Sequence, residues 1–266
     1  MFHTDPSLDF GIYIMALSDI SNPLPSKPGI LAVLSKVLDP VALEPCDFTD
    51  WYEHTHIQEV QATGGISSSQ RYESLTFTSQ YRGRDSKCKS VPANQHLSYD
   101  FLTIYNMPDL AFRDREAFKA LDGQSIPSPE LLEGLFKHVK FVTRFCEELE
   151  VSGPASSLAR AAPFLVTIAA LPPSSHAVPS SRAGDFSSKA LRKYKVHEES
   201  LLSAFEGSRL DGPKEMAVLS FESEEDVEAL AKQYSVVDGL EIGFWSLRRA
   251  YAGSERKPAE WKPKKR

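Results

Sequence analysis

The order of the predicted strands and helices, which occurs twice along the chain, is the feature that most constrains its fold. In the first half an apolar run, GILAVLSKVL (29–38), predicts a buried strand. An amphipathic segment over 48–62 predicts a helix, which two glycines end. The remaining elements of this half are predicted as a strand, a strand, a helix and a strand, over 67–78, 99–107, 110–121 and 139–145.

We predict that this order recurs in the second half, where three of the four strands are assigned. Its strands are predicted over 163–171, 216–223 and 240–250. A helix is predicted over 187–205, between the first two of these strands. A second helix is predicted over 224–234, where Ser223 can serve as the N-cap with Asp226 at the third helical position.

A strand–helix–strand–strand–helix–strand order is that of a ferredoxin-like unit. Two units with a period of roughly 130 residues would each cover one sheet face with their own helices, so each needs the other to cover its second face. The sequence therefore predicts an α+β fold in which two ferredoxin-like repeats form an intramolecular α+β barrel, with a ligand in the shared core. The predicted parts are a leader, two halves and a basic tail expected to be disordered, over 1–28, 29–150, 160–251 and 252–266.

Charge and cysteine content argue against several classes of function. The formal net charge of −6 argues against non-specific binding of nucleic acid. The three cysteines are far apart, which fits neither a disulfide framework nor a zinc site. No apolar run is long enough to span a bilayer, and the acidic N-terminus does not resemble a secretory signal. We therefore expect a cytoplasmic protein with no membrane or nucleic-acid partner. No G-x-G-x-x-G, Walker A or G-x-S-x-G motif occurs.

The segment DFTDWYEHTHIQEV (47–60) contains the main candidate for chemistry. Because a helix turns about 100° per residue, positions four apart share one face. One such row is mostly apolar and should face the sheet: Phe48, Tyr52, His56 and Val60. His56 is thus expected inside, where its imidazole could accept and return a proton. His54 is expected in solvent, with Glu53 and Gln61 nearby. A buried structural histidine is the alternative for His56.

Further candidate site residues are chosen by the face of the helix or strand on which they lie. Tyr52 could donate a hydrogen bond to an enolate or phenolate, or it could simply pack in the core. Arg71 and Tyr72 are adjacent on a strand and must face opposite ways, and we expect Tyr72 to enter the cavity. His54 and His56 lack the spacing of a metal pair, and His56 with Glu59 has that spacing but is too small a ligand set to predict a metal site. The residues expected to contact a ligand are Trp51, Phe101, Thr103, Tyr105, Tyr194, His197 and Phe244.

The first half also resembles a known family. DFTDWYEHTHIQEVQATGG followed by SSSQRYESL is similar to the fungal branch of the dimeric α+β barrel superfamily, close to EthD-type proteins. In that branch an aromatic pair precedes a histidine, a glycine turn and an Arg-Tyr strand. The matching residues are Trp51, Tyr52, His56, Ile57, Gly65, Arg71 and Tyr72. Gln58 departs from the proline that is common there. KYKVHEESLL, with Tyr194 and His197, resembles the corresponding helix of the second half.

The resemblance implies a range of activities rather than one reaction. Relatives include decarboxylases, cyclases, isomerases and oxygenases of fungal secondary metabolism that use no cofactor and act on aromatic or polyketide-like compounds. His56, Tyr52 and Tyr72 would then be catalytic, and the partner would be a small hydrophobic molecule. Two alternatives stay open: a non-catalytic ligand-binding barrel, and a haem protein with His56 or His197 as the iron ligand. The chain would be a monomer (pseudo-dimer) or a homodimer.

Overall fold

The computed structural model describes seven stretches of the chain: 23–75, 99–121, 127–153, 161–171, 190–202, 212–233 and 239–252. Most of the predicted leader and almost all of the predicted tail lie outside these residues.

Within the described residues, the first half contains four strands and several short helical segments. Helix α1 (Pro45–Trp51) continues through a π-helical turn (Tyr52–His56) into α2 (Ile57–Ala62). The strands are β1 (Gly29–Val37), β2 (Ser68–Ser74), β3 (Phe101–Met107) and β4 (Val139–Ser152). Between β3 and β4 lie a 3₁₀ turn (Leu110–Asp114), α3 (Glu116–Lys119), α4 (Pro129–Gly134) and a second 3₁₀ turn (Phe136–His138).

The second half contributes four more strands and, among the described residues, one helix. These elements are β5 (Phe164–Ala170), β6 (Ala190–Leu202), β7 (Glu215–Phe221), α5 (Glu224–Gln233) and β8 (Leu240–Tyr251). Ser223 caps α5 as predicted: its Oγ accepts the Asp226 N–H at 3.2 Å and donates to the Asp226 carboxylate at 2.9 Å.

All eight strands form one closed antiparallel barrel in the order β1-β3-β2-β8-β5-β7-β6-β4. The four strands of each half are neighbours and follow the same relative order. The halves meet along two seams, where β2 pairs with β8 and β4 pairs with β6. No helix in the described stretches combines the length and the apolar character needed to cross a bilayer.

Apolar side chains cover both faces of the barrel wall. In β1, Ile30, Ala32 and Leu34 point into the barrel, whereas Leu31 and Val33 point outward under α1 and α2. A similar outer layer in the second half packs against α5. Because side chains alternate along a strand and both faces are buried, the strand reads in the sequence as one continuous apolar run.

One predicted helix is wrong, and a second is confirmed only in part. The segment 187–205 contains strand β6, which pairs with β4 on one side and β7 on the other. Its charged residues mimic a solvated helix face, but Arg192, Lys193 and Glu198 form ion pairs across to neighbouring elements. The helix over 110–121 is reduced to a 3₁₀ turn and α3, because Arg115 adopts an extended backbone between them.

Candidate functional site

A small, partly open cavity of about 50 Å³ lies between the α1–α2 helix and the outer face of the barrel. We call it the helix–sheet cavity. Its walls are mostly apolar and include Leu31, Val33, Phe118, Phe136, Phe141 and Leu202. Its polar atoms come from Tyr52, His56, Tyr105 and Thr143.

The π-helical turn shapes this cavity. The Ile57 N–H donates to the Tyr52 carbonyl, an i to i−5 bond, so residues five apart approach one face. The Trp51 and His56 rings therefore stack, with centroids 5.0 Å apart and planes inclined by 20°. The Tyr52 ring meets His56 edge-on at 5.2 Å. Single-turn π segments often occur at functional sites, and this one turns three aromatic rings toward the sheet.

His56 is half-buried as a residue, but its Nδ1 atom is shielded from solvent. Among the described residues, this nitrogen has no hydrogen-bond partner. Burial, and then the nearby Arg71 cation, lower the pKa of His56 to about 4. The imidazole is therefore neutral at neutral pH and can accept a proton.

Arg71 is completely buried and lies behind Tyr52. Its Cζ atom is 4.1 Å from the centroid of the Tyr52 ring and 4.4 Å from that of Phe101, which is cation–π geometry on both sides. Its Nη1 donates to Thr103 Oγ1 at 3.1 Å, and its Nε is 3.8 Å from the Glu53 carboxylate. Nε and Nη2 make no hydrogen bond to any described residue.

Two phenol groups lie side by side at the cavity. The Tyr105 hydroxyl donates to the Tyr52 hydroxyl at 3.4 Å, and Thr103 also hydrogen-bonds to Tyr52. Burial raises the pKa of Tyr52, although Arg71 and these hydrogen bonds oppose the shift. Burial likewise raises the pKa of Tyr105. Both phenols are protonated at neutral pH and can donate hydrogen bonds.

Glu53 is buried, and the expectation that it lies near solvent is wrong. Its carboxylate binds Arg248 and lies 3.8 Å from Arg249. Arg248 is the extra residue of a β-bulge, since Arg71 pairs with Arg249 and Tyr72 with Leu247. The bulge lets two consecutive arginines approach one carboxylate, which links the π-helical turn to the second half.

The other polar residues near this helix behave in two ways. Gln61 is also buried, contrary to expectation, and its Nε2 donates to Ser69 Oγ at 2.9 Å. His54 is exposed as predicted, with its Nδ1 2.9 Å from Asp50.

Strand β2 lies between two of the predicted catalytic residues, Tyr72 and His56. Arg71 points to the helices, whereas Tyr72 points into the barrel. There Tyr72 and Tyr194 line a second cavity of about 290 Å³, which we call the barrel cavity. The prediction that Tyr72 and His56 share one cavity is therefore wrong, because the barrel wall lies between them. His56 is inside the protein but outside the barrel.

The remaining predicted residues divide into three groups. Trp51 and Tyr105 line the helix–sheet cavity. Phe101 and Thr103 lie on the same outer face of β3 and contact Arg71. His197 and Phe244 line neither cavity.

His197 and Phe244 have other surroundings. His197 is the bulged residue of β6, and its Nε2 is 2.7 Å from Glu147. The helical stripe that pointed it inward does not exist, because this segment is a strand. Phe244 packs in the apolar layer beneath α5.

Sequence reasoning missed Arg71 and Glu53. The alternation of β2 showed that Arg71 and Tyr72 must face opposite sides of the sheet. We expected Tyr72, not Arg71, to lie in the same cavity as His56. A buried arginine needs a carboxylate and aromatic faces, and Glu53, Tyr52 and Phe101 supply them only after folding. Among the described residues, no group of three or more histidine, cysteine or acidic side chains could hold a metal ion.

No protein-family model matches this chain, and no curated protein does. Several solved structures are similar to it over most of its length. A protein described as anthrone oxidase-like is 12% identical, with a TM-score of 0.46 over 88% of this chain and 97% of that one.

Two candidate monooxygenases are also similar. The protein from Lactobacillus acidophilus is 10% identical, with a TM-score of 0.39 over 85% of this chain and 97% of that one. The protein from Fusobacterium nucleatum is 7% identical, with a TM-score of 0.40 over 89% and 98%.

Proposed function

We propose that this chain is an enzyme that needs no metal or organic cofactor and that transfers a proton through His56. Its substrate would be a small hydrophobic molecule of aromatic or polyketide-like character. One observation carries the proposal: a shielded imidazole nitrogen without a partner among the described residues lines an apolar cavity beside two phenol groups.

The proposed step is the removal of a proton from an acidic C–H or O–H group by the imidazole. The electron pair left on the substrate moves onto a carbonyl or phenolic oxygen, which accepts hydrogen bonds from Tyr52 and Tyr105. The Arg71 cation behind Tyr52 adds positive charge. Arg71 disfavours imidazolium in the empty site, and the substrate anion would offset that effect. The proton then returns from His56 to another atom of the product.

This step leaves the reaction type open. Isomerisation, cyclisation and oxygenation can pass through such an anion, and decarboxylation ends by protonating one. The volume of the cavity limits the substrate, since about 150 Å³ is enough for benzene and this cavity is smaller. Entry of a ring would require the half-buried Leu121 and Leu202 to move aside. The same small volume gives no support to the haem alternative.

We also propose that the two halves are ferredoxin-like units, over 29–150 and 160–251, and that the chain belongs to the fungal EthD-like branch. The matching strand order of the halves supports the first statement. The aromatic pair, histidine and Arg-Tyr strand of the first half support the second.

Deuterium exchange tests proton transfer without knowledge of the natural reaction. The probes are phenylacetone, 2-tetralone and anthrone, which carry an activated C–H on one, two or three rings. We expect the protein to accelerate the exchange of at least one probe in D₂O. Proton NMR measures this exchange as the loss of the C–H signal. His56→Gln should slow that exchange by about 100-fold or more.

His54→Gln is the matched control, because His54 is an exposed histidine two residues away. It should leave the exchange rate unchanged, and melting temperatures should verify that both variants fold. Binding of all three probes without accelerated exchange would make the chain a ligand-binding barrel instead. Equal rates in wild type and His56→Gln would remove His56 from the mechanism.

A further inference from the structure

The barrel cavity is distinct from the helix–sheet cavity and has a different chemistry. It lies at the barrel end where β2, β5 and β6 begin, and where β3 and β7 end. Its floor consists of buried residues from five strands: Tyr72, Ile104, Leu165, Tyr194 and Val218. Its rim is polar and includes Ser68, Gln70, Asn106, Arg192 and Ser220. A volume of about 290 Å³ is close to the lower limit for ligand pockets, roughly 300 Å³.

Hydrogen bonds hold the rim side chains in place. Asn106 Nδ2 donates to Ser68 Oγ at 2.8 Å and to Gln70 Oε1 at 3.2 Å. Gln70 Nε2 donates to the same Ser68 oxygen at 3.2 Å. The rim therefore offers amide and hydroxyl groups in fixed positions, which suits the hydroxyl groups of a ligand.

Tyr72 is the observation that points to a ligand. The residue is only 2% exposed, and its side chain lines the cavity. Its hydroxyl makes no hydrogen bond to any described residue, and Arg192 is close enough to oppose the rise that burial causes in the pKa of Tyr72. An acceptor inside the cavity would bind this hydroxyl and the guanidinium together.

A second phenol and one cation stand near Tyr72. Arg192 hydrogen-bonds to Tyr194, and its guanidinium is 3.6 Å from the Glu148 carboxylate. Because Glu148 already balances Arg192, every negative charge on a ligand adds to the net charge of the site. A ligand with a single carboxylate adds the least, and it still accepts hydrogen bonds from the phenol O–H groups and the arginine.

We propose that the barrel cavity binds a small hydroxylated monocarboxylic acid. Its carboxylate accepts hydrogen bonds from Tyr72 and Arg192, and its hydroxyl groups contact Ser68, Gln70 and Asn106 at the rim. This site does not depend on the function proposed for His56, since the wall formed by β2 and β3 separates the two cavities.

Calorimetric titration of the full chain with quinate tests the proposal. Quinate carries one carboxylate and several hydroxyl groups on a single saturated ring. Two further probes divide these features: cyclohexanecarboxylate lacks the hydroxyl groups, and myo-inositol lacks the carboxylate. We expect saturable binding of quinate, with each of the other two at least about tenfold weaker.

Two variants remove the proposed contacts. Tyr72→Phe deletes only the phenol oxygen, and Arg192→Gln deletes the charge at the partly exposed rim. Each should weaken quinate binding by about tenfold. Tyr105→Phe is the matched control, because it makes the same change on the other side of the wall and should leave quinate binding unchanged.

Several results would overturn the proposal. One is that quinate shows no saturable binding to the protein. Another is that the two variants bind quinate as tightly as the control does. A third is that the protein binds myo-inositol as tightly as quinate. If Tyr72→Phe does not fold, Arg192→Gln alone decides the matter.

Discussion

His56 and Arg71 both contact the Tyr52 ring, and two positive charges this close together would be unfavourable. Arginine keeps its proton at any ordinary pH, and two aromatic faces and the Glu53 carboxylate stabilise its charge here. The histidine therefore remains neutral. The local electrostatics hold this imidazole ready to receive a proton rather than to give one.

The lowered pKa of His56 predicts a pH dependence of stability. The folded imidazole has a pKa of about 4, and in the unfolded chain the value is about 6.5. Between these values the unfolded state binds more protons, so the free energy of unfolding rises with pH through this window and is flat above it. The loss in the free energy of unfolding that His56 causes on acidification is at most about 3 kcal/mol.

Urea unfolding at pH 7.0, 5.5 and 4.5 measures this effect. Wild type and His54→Gln should share the same loss of stability on acidification, and His56→Gln should lose much less. Parallel pH profiles for all three proteins would contradict the assignment.

At the level of single residues, the sequence predicted the sheet-facing row but not its chemistry. Spacing of four placed Tyr52 and His56 toward the sheet, and this was correct. The stack of Trp51 on His56 was not predictable in that way, because it depends on a π-helical turn that a 3.6-residue period does not contain. The face chosen by Arg71 depends on partners from other elements.

Two local irregularities meet at Glu53. The π-helical turn carries this carboxylate, and the β8 bulge brings Arg248 and Arg249 to it. Regular alternation would send two consecutive arginines to opposite faces of the sheet. Each irregularity thus has a structural role, which is to join the helix of one half to the last strand of the other.

Removal of the Glu53 charge should be destabilising. Glu53→Gln leaves Arg71 buried without its carboxylate, and we expect a loss of about 3 kcal/mol in the free energy of unfolding. Glu73→Gln is the control, because Glu73 binds the same Arg248 from a more exposed position. It should lose less than about 1 kcal/mol. Urea denaturation of both variants makes the comparison, and equal losses would show that burial of Glu53 is not what matters.

Elements with a single pattern were predicted well from sequence. The β1 run and the capped α5 helix each carry one clear signal, and the period-two alternation over 139–145 predicts a strand within an otherwise ambiguous segment. All three elements were confirmed. β6 was misread because its polar residues pair with partners on β4, β7 and the 3₁₀ turn after β3. From the sequence alone these residues resemble the solvated side of a helix.

The barrel is held together as a whole by its two seams and by one ion cluster inside it. Arg144 on β4 makes a bidentate pair with Glu241 on β8, at 2.7 and 3.1 Å, and also binds Glu199 on β6. This cluster reaches across the barrel from the first half to the second. Neither half can cover its inner face alone, so the halves should fold together.

Cooperative unfolding follows from this arrangement. Trp51 lies in the first half and Trp245 in the second, and both are buried. Trp261 lies outside the described residues. Double Trp→Phe variants that keep only Trp51 or only Trp245 report on each half by fluorescence.

Within each variant, we expect the urea midpoint from fluorescence to coincide with that from far-ultraviolet circular dichroism, which senses both halves. Two separate midpoints in either variant would show that the halves unfold independently.

For the whole molecule, element order was enough to predict an intramolecular barrel, because two half-covered sheets must cover each other. The prediction that both His56 and His197 line one shared hollow was wrong. It depended on a second helix that is in fact β6, and on the idea that the only cavity lies between the two sheets.

Strand β2 forms part of the wall between the two cavities. Its Arg71 side chain lies on the side of the helix–sheet cavity, and its Tyr72 side chain lines the barrel cavity. Adding or deleting one residue ahead of this pair would send the guanidinium into the barrel and the phenol under the helices. Substitutions of single side chains can therefore change either cavity during evolution. An insertion or deletion within β2 would disrupt both cavities, so the length of this strand is a stricter requirement than its composition.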